Sequence, residues 1–212
     1  VASASTFSAN GSGIEASASR RHAVCIVGAG PAGLQLGHFL FRDRSTLGDF
    51  VIFDRWASAG SFFQKYPVHR MLISLNKRNA RSRSAEFRMR HDWNSLLGSG
   101  DAGVKPVTER THELYPNADV LAGYLGEFAE EQRSNIEYGV EVLNISAAGA
   151  DDDTSGGGRG DFVLHLAAAS EAAGDGVVGA GRAGHGGPAL GPRRCGRVIV
   201  AGGVTRPHVP RE

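Results

Sequence analysis

The segment Val24-Cys25-Ile26-Val27 runs straight into three glycines, Gly28, Gly30 and Gly33, at the spacing G-x-G-x-x-G. An apolar run of that length reads as a buried strand, and each glycine answers a different steric demand. Gly28 lets the chain leave the strand sharply, Gly30 removes a side chain where a pyrophosphate has to approach, and Gly33 lets a following helix pack close on the strand. Pro31 falls in the first turn of that helix, where its missing N–H costs nothing. The free N–H groups and positive dipole end of the helix then face the phosphates. In a chain with 30 glycines the spacing alone decides little, so the flanks have to. Leu34, Leu36, Phe39, Leu40 and Phe41 are spaced for one helix face, and Arg42 and Arg44 fall near its end, where cations are favoured. Phe50-Val51-Ile52-Phe53 reads as a second buried strand, closed by Asp54. That acid stands 21 residues after Gly33, close to the ~20 expected for a carboxylate accepting hydrogen bonds from a ribose. Strand, turn, helix, strand and acid together predict a dinucleotide-binding βαβ unit and an α/β fold.

Composition adds bounds. At 212 residues the chain can hold one large domain. Its 23 Lys and Arg against 22 Asp and Glu give no global pull toward nucleic acid or membrane. No run approaches the ~18 consecutive apolar residues of a membrane span. The two cysteines, Cys25 and Cys195, have no C-x-x-C or metal-ligand spacing, and Cys25, inside the first strand, reads as a buried apolar residue. Residues 1–21, Ser/Ala-rich and nearly free of acids, read as a disordered tail or the remnant of a targeting segment; no apolar core of a secretory signal is visible.

The remainder, 22–212, reads as one domain. Lys65, Arg70, Lys77, Arg78, Arg81, Arg83, Arg88 and Arg90 make residues 65–91 basic, with Glu86 as the one acid. Phe62, Phe63, Tyr66 and Phe87 interleave aromatics, as a nucleic-acid groove would, but dinucleotide phosphates explain the same cations and are already called for by the glycine turn. A solvated basic face explains Arg81 to Arg90 equally. Asn117 or Asp119 can cap a helix with an apolar stripe of Val120, Leu121, Tyr124, Leu125 and Phe128, and Glu127, Glu130 and Glu131 on or beside its wet face. Ile136 to Ile145 alternates as a strand or short strand pair, and Asp161 to Leu166 as another, with His165 on its wet face. Residues 147–160 and 167–192, acidic or Ala/Gly-rich, read as mobile insertions. The chain then forms a buried strand through Val198, Ile199 and Val200 into a glycine turn, Ala201-Gly202-Gly203. Ligand contacts in an open α/β sheet gather at such carboxyl ends of strands.

These motifs resemble the two-dinucleotide-binding-domain flavoproteins of the flavin-containing monooxygenase type. The blocks Gly60-Ser61-Phe62-Phe63, Tyr66-Pro67 through Ser74, Asn76-Lys77-Arg78, Ala85-Glu86-Phe87 and His91 through Leu96 are similar to the FAD-dependent oxidoreductase domain-containing proteins linked to endoplasmic-reticulum-associated degradation. The resemblance implies an incomplete Rossmann-like FAD-binding domain with a parallel sheet. The turn Gly28, Ala29, Gly30, Pro31, Ala32 and Gly33 would cradle the FAD pyrophosphate. Asp54 would hold the adenosine ribose, where the family usually has Glu. Arg55 would pack on the adenine side, Val142 would read the adenine edge through its backbone, and Ala201 and Gly203 would line the cofactor from the terminal strand. Asn76 matches an asparagine that faces the flavin in the monooxygenases; read locally, it is a turn residue before Lys77. The resemblance places an NADPH site in a carboxyl-terminal part beyond residue 212 and the protein in the endoplasmic reticulum lumen. It leaves two functions open: an NAD(P)H-dependent, monooxygenase-like FAD oxidoreductase, or a flavoprotein-derived interaction module that captures quality-control partners with little turnover. A sheet lacking its closing segment is expected to leave apolar area near Val198 to Val200 and the first helix uncovered, and the isolated chain poorly soluble or partly unfolded without FAD.

Overall fold

The computed structural model describes residues 21–43, 48–78, 84, 86–87, 92–98, 104–148, 161–169 and 187–203. The expected tail at 1–20, the central parts of both expected insertions, Arg81, Arg83, Arg88 and Arg90 lie outside the described residues.

The predicted βαβ unit is present. Strand β1 (Arg21–Val27) leads through the glycine turn into helix α1 (Pro31–Arg42) and back to strand β2 (Phe50–Asp54), which lies parallel to β1 in the register Val24↔Phe50 to Val27↔Phe53. Pro31 opens α1 and Arg42 sits in its last turn. All five residues of β2 are buried, as a strand covered on both faces requires. Strand β3 (Ile136–Tyr138) adds to the far side of β2, also parallel. Strand β6 (Ala189–Val200) adds to the other side of β1. The ladder runs β3-β2-β1-β6-β5-β4.

Strand β4 (Val140–Ala147) follows β3 after one residue, Gly139, yet stands at the opposite end of that ladder. The ladder therefore folds back on itself. Strand β6 is long enough to serve two layers. Its carboxyl-terminal half pairs with β1, and its amino-terminal half pairs antiparallel with β5 (Phe162–Ala168), which in turn pairs antiparallel with β4. The meander β4-β5-β6 covers one face of the parallel sheet. There Cys25, Val51 and Phe53 pack with Val140, Leu164, Leu166 and Cys195. On the opposite face Val24, Ile26, Phe50 and Ile52 pack against α1 and against helix α4 (Ala118–Glu130), which follows the short helices α2 (Ser61–Lys65) and α3 (Val107–Arg110) in the chain. The fold is thus α/β in three layers, with a mixed sheet where the parallel strands meet the meander.

The expected boundaries shift in two places. Arg21, read as the end of the tail, opens β1, and its guanidinium grips the buried Asp161 through Nε and Nη2 at 2.6 and 2.7 Å. Ala167 and Ala168 complete β5, and Ala189 to Pro192 begin β6, so ladder pairing claims both ends of the stretch expected to be an insertion. Of the two readings of the 136–145 segment, a strand or a short strand pair, the pair is the one present.

Helix α4 follows its sequence pattern. Leu121, Tyr124, Leu125 and Phe128 are buried, and the Tyr124 hydroxyl accepts the Leu96 N–H at 2.7 Å. Burial pushes the Tyr124 phenol up to about 12. Of the two candidate caps it is Asn117 whose Oδ1 accepts the Asp119 N–H, at 2.8 Å. Asn117→Ala removes that acceptor and is expected to cost about 1 kcal/mol, a fall in Tm of roughly 2–4 °C by calorimetry. Among the described residues, no helix is long and apolar enough to cross a membrane.

Candidate functional site

In the parallel part of the sheet the chain runs outward from β1 to β2 and β3 on one side and reaches β6 on the other. The switch point lies between β1 and β6, where a crevice forms outside the carboxyl ends of the strands. A cleft of about 770 Å³ opens there. Its floor is the Val27–Gly28 strand end, Gly30, Pro31 and Ala32 from the turn and helix start, and Ala201, Gly202 and Gly203 after β6.

The three glycines of the motif are fixed by different neighbours. Gly28 has φ 108°, and a Cβ there would lie 2.7 Å from the Ala201 carbonyl oxygen. A Cβ at Gly33 would collide with the carbonyl oxygen of Gly28. Both are demanded by the protein's own packing, Gly28 also by its left-handed backbone. Gly30 differs: its backbone is extended, with φ −81° and ψ −176°, and a Cβ would meet no protein atom within 4 Å. Among the described residues no neighbour requires a glycine at that position, yet it lines the cleft at the start of α1.

Asp54 ends β2 beneath the turn. It is buried, and both carboxylate oxygens are engaged: Oδ2 accepts the Ala29 N–H at 2.6 Å and Oδ1 the Trp56 N–H at 2.8 Å. Burial raises its pKa above the usual carboxylate range, opposed by those two N–H groups and by Arg55. The acid therefore ties the glycine turn to β2, a role its spacing alone did not show. Each oxygen retains a second lone pair for a ligand hydroxyl.

The remaining wall comes from residues the motif did not name. Gly60, left-handed at φ 65°, donates its N–H to the Ala29 carbonyl at 3.1 Å and starts the short helix α2 (Ser61–Lys65). That contact brings Ser61, Phe62, Phe63, Lys65 and Tyr66 to the cleft. The Gly-Ser-Phe-Phe cluster just after β2 was the available signal, but its docking on Ala29 is a tertiary fact. Trp56 joins them, with the Lys65 ammonium 4.1 Å and the Arg55 guanidinium carbon 5.1 Å from its ring centroid, both within cation–π range. Arg55 also lies 3.8 Å from Glu141. Val140, Glu141 and Val142 of β4 complete the rim. Gly28, Gly30, Pro31, Ala32, Asp54, Arg55, Val142, Ala201 and Gly203 all line this one cleft. Ala29 and Gly33 support it from behind: Ala29 is fully buried and holds Asp54 and Gly60, and Gly33 packs on Gly28.

Asn76 is not among the residues lining the cleft. Its Nδ2 donates to the Thr111 carbonyl at 2.9 Å and its Oδ1 accepts the Arg78 N–H at 3.0 Å, the geometry of a local turn. The basic stretch is also divided. Lys65 lines the cleft, whereas Arg70 bonds the Phe63 carbonyl and the Asp119 carboxylate, and the Lys77 ammonium lies 5.3 Å from the Trp93 ring centroid. His165 is exposed on β5, 3.4 Å from the Ser146 hydroxyl. Cys25 is buried as expected, but it is joined to Cys195 by a disulfide. The sequence points to no covalent partner for it, since pairing with a residue 170 positions away leaves no local spacing signal.

Comparison with known proteins follows the same geometry. The chain is 45% identical over 127 residues to FAD-dependent oxidoreductase domain-containing protein 2 of Danio rerio, and 41% identical over 122 residues to that of Mus musculus. These matches cover 60% and 58% of this chain and 18% of each relative, so the match spans under a fifth of the relatives' length. Among solved structures it is similar to the polycyclic ketone monooxygenase of Thermothelomyces thermophila (TM-score 0.54, 16% identity, 90% of this chain and 24% of that one). It is also similar to the ornithine hydroxylase of Pseudomonas aeruginosa (0.53, 17%, 90% and 41%) and to the bacillithiol disulfide reductase of Staphylococcus aureus (0.51, 15%, 87% and 39%). At such identities these structures show a shared fold. The family model described as pyridine nucleotide-disulphide oxidoreductase matches residues 25–153, from inside β1 past the end of β4. A match over more than half of the chain, containing the glycine turn, Asp54 and the β4 rim, shows that the chain belongs to the pyridine nucleotide-disulphide oxidoreductase family.

Proposed function

We propose that this chain is the FAD-binding portion of an NAD(P)H-dependent, monooxygenase-like flavoprotein oxidoreductase. The observation that carries the reading is Gly30: a glycine lining the cleft, in an unstrained backbone, whose absent side chain leaves space that no atom of the described residues takes. A phosphate held against backbone N–H groups at a helix start needs that space. The residues present fit FAD. The turn and the start of α1 would hold its pyrophosphate, Asp54 and Arg55 its adenosine side, with Val142 at the adenine edge, and the aromatic wall of Trp56, Phe62, Phe63 and Tyr66 offers stacking surface. When bound, FAD supplies the redox chemistry; the chain supplies binding, orientation and charge. Arg55 and Lys65 bring positive charge to a ligand that carries two phosphates. The relatives' printed name supports FAD, and the family description supports a nicotinamide partner, proposed here for a part of the protein beyond residue 212. By resemblance the reading places the protein in the endoplasmic reticulum lumen, a setting that fits a buried disulfide.

FAD titration of the 212-residue chain tests this. Bound flavin retained through gel filtration, at one per chain, is the expected result. A chain with native circular dichroism that retains no flavin overturns it. In a longer form of the protein, NADPH should bleach the flavin absorbance and oxygen should restore it. Flavin retention with no response to NADPH would move the assignment to an interaction module.

A further inference from the structure

The two strands that end in the cleft floor are covalently joined behind it. Strand β1 ends in the Gly28–Gly30 turn and β6 ends in Ala201–Gly203, and both turns line the cleft. Cys25 lies three residues before Gly28, and Cys195 lies in β6, six residues before Ala201. Their Cα atoms are 5.8 Å apart, within disulfide range. Both residues are fully buried, among Val51, Phe53, Val140, Leu164 and Leu166, on the face that the meander covers. We propose that the Cys25–Cys195 disulfide is a clamp on the floor of the cofactor cleft, made by an oxidising partner and making cofactor retention depend on the thiol–disulfide state of the protein. The function assigned to the clamp rests on the reading of the cleft as a dinucleotide site.

The position explains why a crosslink here matters more than one elsewhere. Gly28 and Ala201 are already in contact, since a Cβ at Gly28 would strike the Ala201 carbonyl oxygen, and the Ala201 N–H donates to the Val27 carbonyl at 2.8 Å. The width of the cleft floor is therefore set by how closely β6 holds to β1. The crosslink joins residues 170 positions apart and closes nearly the whole described chain into a loop, so β6 cannot leave β1 while the bond is intact. Formation is a two-electron oxidation. The two thiols lose two protons and two electrons as the S–S bond forms, and the electrons reduce the disulfide of an oxidant, such as oxidised glutathione or a protein dithiol oxidoreductase, to its two thiols. Burial shields the finished bond, so exchange with an external thiol requires the meander to open.

Intact-mass analysis of the full 212-residue chain from an oxidising compartment tests the bond. Iodoacetamide in denaturant should add nothing before reduction and two groups after it, since the sequence holds two cysteines. Labelling of both cysteines without reduction overturns the proposal. The clamp is tested on the same chain, oxidised or reduced with a phosphine, and on the double variant C25A/C195A. The uncrosslinked forms should melt roughly 5–15 °C lower and release FAD about tenfold faster. If the double variant fails to fold, the reduced wild-type chain supplies the comparison. A bond that is present, but whose reduction leaves FAD release unchanged, overturns the clamp even where the melting temperature falls, because any buried crosslink lowers melting when it is broken. If the oxidised chain takes up no FAD at all, the cofactor reading fails and the clamp falls with it, whereas FAD bound and released equally in both redox states overturns the clamp alone.

Discussion

Gly30→Val is expected to abolish FAD binding, raising Kd by at least about a hundredfold, while leaving the apo protein close to its wild-type Tm. The two halves of that expectation have separate physical grounds. Inside the protein a side chain at position 30 starts into open space, since a Cβ there has no neighbour within 4 Å among the described residues. Its backbone, φ −81° and ψ −176°, is extended and open to a β-branched residue, and it suits the position before Pro31. Gly30 is also the N-cap of α1 without any side-chain bond. Exchanging glycine for valine there costs up to about 1 kcal/mol of helix stability, a few degrees at most. On the ligand side the methyl groups occupy the space where phosphate oxygens approach the N–H groups of the helix start, and the charge-assisted bonds made there are worth roughly 1.5–3 kcal/mol each. Losing two of them is enough for the stated loss. Gly33→Ala is the contrasting control, since its Cβ strikes the Gly28 carbonyl oxygen and should lower Tm whether or not FAD is present. If Gly30→Val binds FAD as the wild type does, the turn does not cradle a pyrophosphate and the cofactor reading fails.

What the sequence revealed of this site follows from how far apart the causes lie. The glycine turn, α1 and Asp54 fall within one βαβ unit of about 35 residues, where each residue's reason is local. Helix α4 was legible for the same reason, down to two candidate caps, of which Asn117 is the one used. The other wall of the cleft depends on Gly60 bonding Ala29 and on β4 crossing to the far end of the ladder, neither of which has a local signature. The first half of β6 was hidden by its composition. Pro192 breaks the appearance of a strand, but it lies before the β1 pairing begins at Arg194 and within the register irregularity of the β5 pairing, between Leu190 and Arg193, where a proline is tolerated. Asn76 shows the reverse difficulty. An amide aimed at a ligand and an amide closing a turn look identical in sequence, and the bonds to Thr111 and Arg78 give its local role.

Asp54→Ala is expected to lower stability and FAD affinity together, and the two losses can be separated. Removing the carboxylate leaves the Ala29 and Trp56 N–H groups without their acceptor. Ala29 is fully buried, so its N–H bears the desolvation cost, whereas half-buried Trp56 can recover part from water. At about 1–3 kcal/mol for an unpaired buried donor, the sum is roughly 2–4 kcal/mol, or a Tm lower by about 5–15 °C. Asp54→Asn keeps one acceptor oxygen and should fall between the two. The pH dependence has a definite sign. Burial raises the folded-state pKa of Asp54, so the folded chain binds more protons than the unfolded one between the ordinary carboxylate value and the raised one. Stability therefore declines as pH rises through that window, and Asp54→Asn should remove this decline from a pH series of melting curves. FAD affinity, measured well below the variant's Tm, reports the remaining role. A loss of about ten- to a hundredfold beyond the unfolded fraction places a ribose hydroxyl on the carboxylate's free lone pairs, a bond worth roughly 1.5–3 kcal/mol. A variant that melts early but binds FAD like wild type once folded would confine Asp54 to bracing the glycine turn, with the ribose held by another group.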